Sequence, residues 1–139
     1  MLEYLAERDF PAAMDLLGSV DLENRRGLLK IWSWLHAVHP GNRQRILAAL
    51  EKENDADLTH FCRSLMIRRL ADRDVTSARD FVASLRITEE EKHELDSLAL
   101  SSWAEEEPEK SLSAWIALGE KDLPECFKTP LALWCARAD

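Results

Sequence analysis

The sequence predicts an all-α fold, a solenoid of αα hairpins with about four repeats and incomplete terminal repeats, built as one domain over residues 1–139. Three observations predict it. A phrase recurs: Leu5-Ala6-Glu7-Arg8-Asp9, Trp34 to Val38, Leu70-Ala71-Asp72-Arg73-Asp74, Trp103-Ala104-Glu105-Glu106-Glu107 and Trp134-Cys135-Ala136-Arg137-Ala138. Its anchors lie 29, 36, 33 and 31 residues apart, about the length of one helical hairpin with its turns. The four Gly and five Pro fall mostly where helices should begin or end. No stretch alternates apolar and polar residues as a half-buried strand would.

Taken in order, Leu2 to Asp9 reads as a helix, Pro11 suits the first turn of the next, and Gly18 suits its C-terminal cap. Asp21 can cap a long helix bearing Leu28, Leu29, Ile31, Trp32, Trp34, Leu35 and Val38. These residues spread over more than half the helix circumference, which predicts cover on two sides. Pro40 and Gly41 turn the chain into a helix through Ile46, Leu47 and Leu50 that ends near Asn54. A third hairpin opens near Asp57, with Leu58, Phe61, Cys62, Leu65, Met66 and Leu70 in helical rhythm, and its partner carries Val75, Ala78, Val82 and Leu85.

Thr88 and Glu91 have capping-box spacing, and Glu89, Glu90 and Glu91 suit the positive end of a helix dipole. That helix runs through Leu95, Leu98, Ala99 and Trp103, and Pro108 starts a partner that stops at Gly119. A turn through Pro124 and Phe127 leads to a last helix opened by Thr129-Pro130. The chain begins and ends inside the repeated phrase. Either the terminal half-repeats cap the stack or the chain is a piece of a longer array.

The phrase Trp103-Ala104-x-x-x-Pro108-x-x-Ser111-Leu112, echoed by Leu5-Ala6-x-x-x-Phe10-Pro11-x-Ala13-Met14, resembles the tetratricopeptide-like class of α-solenoids. The chain lacks the Gly and Tyr that follow the first Trp and Leu of that signature, so only architecture carries over. The resemblance implies a right-handed stack whose first helices line a concave groove, and use as a partner-binding scaffold.

The net charge of −8 disfavours broad binding to phosphate backbones. The balance is uneven: residues 60–86 hold six Arg and three Asp, whereas residues 87–139 hold five basic and thirteen acidic side chains. Cys62, Cys126 and Cys135 form no C-x-x-C pair and read as packing residues in a reducing compartment. With an acidic N-terminus and no long apolar run, neither a signal peptide nor a membrane span is expected, and the cytoplasm follows by default.

Several chemical motifs have structural readings. Asp55-Ala56-Asp57-Leu58-Thr59 imitates the D-x-D-x-T of aspartate-nucleophile phosphotransferases, which needs a buried strand before its first Asp; here a helix precedes it, so an N-cap is expected. His36 and His39 share a helix face without a third metal ligand, and His39 complements a helix C-terminus. No metal, cofactor or catalytic residue is expected. Trp34, Trp103 and Trp134 occupy the repeat anchor and read as core, while Ile31, Ile67 and Leu100 mark contacts between hairpins. Of the arginines 63, 68, 69, 73 and 79, only Arg63 and Arg68 are neighbours on an exposed side. Arg69 is expected to bury its stem and reach Asp72 or Asp74.

On a helical wheel His60, Ser64 and Arg68 share one edge. The same register gives His93, Ser97 and Ser101 in the next repeat and Trp32 and His36 in the earlier one. The expected partner-binding row is therefore Trp32, His36, His60, Ser64, Arg68 and His93, with Trp32 as the ligand-facing aromatic. The function expected is a non-catalytic protein–protein interaction scaffold that takes a peptide or partner helix on its concave face. The cut terminal repeats also offer a surface for self-association. The alternatives are a single-stranded RNA-binding repeat module and, less favoured, an all-α enzyme.

Overall fold

The computed structural model describes residues 2–117, and no strand occurs among them. The expected last helix with Trp134 and Cys135 lies outside the described residues, as do Gly119, Pro124 and Cys126 and the side chains of Trp115 and Ile116. The chain packs as two compact units that meet in sequence between Arg69 and Leu70.

The first unit opens with α1 (Leu2–Arg8) and α2 (Phe10–Leu16), separated by Asp9. Asp9 accepts a hydrogen bond from the Ala12 amide at 3.1 Å, satisfying one of the donors that a helix start leaves orphaned. Gly18 does not supply a left-handed cap. Instead α2 tightens into a 3₁₀ turn, Leu17–Ser19, closed by the Val20 amide on the Leu17 carbonyl at 3.1 Å.

Asp21 caps α3 (Leu22–Leu35), and Pro40 sits in the first turn of α4 (Pro40–Glu53). α3 is three residues shorter than the apolar pattern predicts. The connection after it is pinned by Arg43, whose Nη1 donates to the Ala37 carbonyl at 2.7 Å. α4 ends at Asn54, which takes the left-handed conformation at φ 52°; a short polar side chain tolerates this better than most. Arg25 ties the far ends of this hairpin together, pairing with Glu53 and donating to the Val20 carbonyl at 2.9 Å.

α5 (Ala56–Arg73) starts as the Asp55 cap predicts: Asp55 Oδ1 accepts from the Leu58 amide at 3.1 Å. Three side-chain contacts fix its direction against α3. Arg26 pairs with Asp55 at 2.7 Å, Lys30 Nζ lies 5.0 Å from the Phe61 ring centre, and the Arg69 guanidinium lies 5.4 Å from that of Trp34. Both partners ascend together, so α3 and α5 run parallel. α2 packs against both α1 and α4.

In the second unit α6 (Val75–Ser84), capped by Asp74, packs on α7 (Glu89–Glu106), which in turn packs on α8 (Pro108–Ala117). The capping box at the start of α7 is formed in both directions, with Glu91 N to Thr88 Oγ1 at 3.2 Å and Thr88 N to Glu91 Oε2 at 3.4 Å. Leu100 and Ala104 are buried with Val75, Trp103 and Leu112 against them. Arg79 joins the α6 and α7 surfaces through a two-pronged pair with Asp96 at 2.9 and 3.2 Å.

Burial itself recurs. Leu29, Cys62 and Leu95 are buried at intervals of 33 residues, as are Ser33, Met66 and Ala99. The next row is Ala37, Leu70 and Trp103, of which the first two are buried and the last half-buried. Among the described residues no helix is long and apolar enough to cross a membrane.

Candidate partner-binding face

Six residues of α5, namely Asp57, His60, Phe61, Ser64, Leu65 and Arg68, line a hollow of about 330 Å³ in the first unit. Their spacing of three and four residues puts them on one stripe of the helix. His60, Ser64 and Arg68, grouped by the wheel, are thus brought together. Phe61 lies among them, 48% exposed and capped by Lys30. The Ser64 hydroxyl donates back to the His60 carbonyl at 2.9 Å, which keeps it on its own helix.

The α3 side corrects the expected row. Trp32 is fully buried, with its ring 5.4 Å from Phe10 in an edge-to-face contact, so it does not face a ligand. Trp34, expected in the core, is 36% exposed. Residues two apart on a helix point to nearly opposite sides, and the side facing α2 takes Trp32. Ile31 and Leu35 are also exposed. α3 is covered by Phe10 of α2, by α4 and by α5, but this arc of its apolar pattern stays open, and Ile31 does not share the burial of Ile67 and Leu100.

His36 caps the end of α3 and stacks on Phe10 with ring centres 4.9 Å apart. Burial lowers its pKa, and the charge of Glu7 partly opposes that shift. It belongs to the packing of the α2–α3 corner rather than to the α5 stripe. His39 sits at the N-cap of α4 and not at a helix C-terminus, because α3 stops before the connection. No group of three or more His, Cys, Asp or Glu side chains that could hold a metal occurs among the described residues.

His93 lines a different hollow, of about 610 Å³, in the second unit. Its walls carry both signs of charge, with Arg79 and Lys92 against Asp80, Glu89 and Asp96. Arg79 is held by Asp96, and Lys92 donates to the Ala83 carbonyl at 3.2 Å.

The arginines resolve individually. Arg69 reaches the face of Trp34 rather than Asp72 or Asp74, and its Nε, like that of Arg63, is buried without a hydrogen-bond partner. Arg68 is exposed. Cys62 is buried and free, its thiol pushed up chiefly by burial while a hydrogen bond with Ser33 works the other way.

The residues that sequence reasoning missed are Ile31, Trp34 and Leu35 on α3, with Lys30 and Arg69 between the helices. A constant interval of 33 finds two of them, Ile31 and Leu35, because it pairs Gly27, Ile31 and Leu35 with His60, Ser64 and Arg68; Trp34, Lys30 and Arg69 carry no such signal. No family model, no curated protein and no solved structure matches the chain.

Proposed function

We propose that the chain is a tetratricopeptide-like helical-hairpin repeat that acts as a non-catalytic scaffold, binding a peptide or partner helix of another protein on the face formed by α3 and α5. The carrying observation is a set of exposed large apolar side chains, Ile31, Trp34 and Leu35 on α3 and Phe61 on α5, on two parallel helices that meet through Lys30 and Arg69. Large apolar groups that share a face instead of scattering mark an interaction surface. The repeat reading is supported by the recurrence of burial every 33 residues along α3, α5 and α7, and by the parallel course of α3 and α5, the first helices of successive hairpins.

The test is affinity capture with the full chain and with Phe61→Ala and Arg68→Ala, each checked for native helicity by circular dichroism. Proteins retained specifically by the parent should be lost from both variants and kept by Asp80→Ala, which alters the hollow of the second unit. Partners that survive both substitutions on α5 would place the interface elsewhere.

A further inference from the structure

The chemistry of this face names the kind of partner, on the premise that it is the interaction surface proposed above. Three cations frame the apolar residues: Lys30, Arg68 and Arg69. None of them has a carboxylate within 4.0 Å among the described residues, although the chain carries 26 acidic side chains. The ion pairs that do form in the first unit belong to Arg25 and Arg26. Asp57, at the start of the α5 stripe, is the acidic residue lining the hollow. A face that is apolar at its centre and cationic at its edges lies on a chain whose net charge is −8.

We infer that the occupant is an acidic amphipathic helix of another protein, its carboxylates on Lys30, Arg68 and Arg69 and its apolar side chains on Ile31, Phe61 and Leu65. The twelve residues from Asp57 to Arg68 span about 16 Å of helix axis, room for about three turns of a partner. The α5 hollow, flanked by the exposed residues of α3, can receive such a segment through anchors spaced three and four residues apart. Complementary charge at the edges sets its register and speeds its arrival.

Single-stranded nucleic acid shares the anionic character, but the face suits it less. The Phe61 and Trp34 rings are already capped by Lys30 and Arg69 and so are not free platforms for base stacking. Ile31, Leu35 and Leu65 offer aliphatic contact instead. Residues 70–139, with eight basic and sixteen acidic side chains, would repel a long polyanion.

The experiment titrates the full chain with a fluorescent helix-forming peptide of about sixteen residues, Leu on one face and Glu on the other. It is compared with a Glu→Gln isostere, a Glu→Lys isostere and a labelled single-stranded RNA. The acidic peptide should bind best, should weaken about tenfold or more against Arg68→Glu, and should lose affinity as salt shortens the Debye length. Arg68→Glu should in turn prefer the Lys peptide, a gain that a misfolded variant would not show. Equal binding of the Glu and Gln peptides, no peptide binding, or tighter Arg68-dependent binding of RNA overturns the inference. If natural partners are nonetheless lost on Phe61→Ala and Arg68→Ala, the interaction face stands and only the acidic-helix assignment falls. If they are kept as well, both fall.

Discussion

Replacing each of two tryptophans on α3 by alanine separates the packing described here from the packing that the repeated phrase implies. Trp32 is fully buried and Trp34 is 36% exposed. Truncating a fully buried indole removes its transfer free energy and leaves a cavity, a loss of about 3–5 kcal/mol. The edge-to-face contact with Phe10 places Trp32→Ala toward the upper part of that range. Trp34→Ala uncovers less apolar surface and ends one cation–π contact with Arg69, a loss of about 1 kcal/mol. Since a domain of this size holds about 5–15 kcal/mol in total, only Trp32→Ala should threaten folding near room temperature. Urea unfolding followed by far-ultraviolet circular dichroism measures both without relying on indole fluorescence. Trp32→Phe adds a check: it keeps the ring contact and deletes an indole N–H that has no hydrogen-bond partner, so it should cost less than Trp32→Ala. Equal losses for the two alanine variants, or a larger one for Trp34→Ala, would refute the assignment of the inward face of α3.

Three further outcomes follow from local geometry. Burial holds His36 below its ordinary value of 6.5, so the unfolded chain takes up the proton first. Its stabilising effect is therefore full above that value and is lost as pH falls through the folded value; His36→Phe should flatten this part of the stability–pH curve measured by urea titration. Thr88→Ala removes one half of the capping box on α7 and should cost about 1 kcal/mol, read as a fall in the denaturation midpoint. At Asn54, with φ 52°, Gly should be neutral or slightly stabilising in a thermal melt, whereas Val should lose about 1–2 kcal/mol because its branched Cβ opposes the left-handed backbone.

Helix existence was legible because it depends on local chemistry. Asp9, Asp21, Asp55, Asp74 and Thr88 each accept a hydrogen bond from an amide of the first turn, and Pro11, Pro40 and Pro108 stand in first turns. Such signals need no tertiary partner, so they survive folding unchanged. The end of α2 was not legible in the same way. Gly18 permits a left-handed cap but does not compel one, and the chain instead closes a 3₁₀ turn with the Val20 amide on the Leu17 carbonyl.

The inward face of α3 was hidden for a different reason. An apolar arc wider than half the helix says that more than one side could be buried, but the choice falls to neighbours that are distant in sequence, here Phe10 of α2. Aligning the phrase on Trp34 sets its interval to Leu70 at 36 residues, against 33 from Leu70 to Trp103. The excess of three is nearly one helical turn, close enough to keep a plausible apolar pattern while shifting the exposed row. Starting from Ala37 restores 33 on both sides and puts a buried residue at the head of the row. In that register the α3 counterparts of His60, Ser64 and Arg68 are Gly27, Ile31 and Leu35, and the last two are the residues whose apolar side chains remain exposed. Positions 33 residues apart thus carry Ile31 and Leu35 on α3 but Ser64 and Arg68 on α5, while Lys30 on α3 and Phe61 and Leu65 on α5 cross that division. An acidic helix docked as proposed must accordingly set its apolar side chains centrally, over Ile31, Phe61 and Leu65, and its carboxylates toward Lys30 on α3 and toward Arg68 and Arg69 on α5.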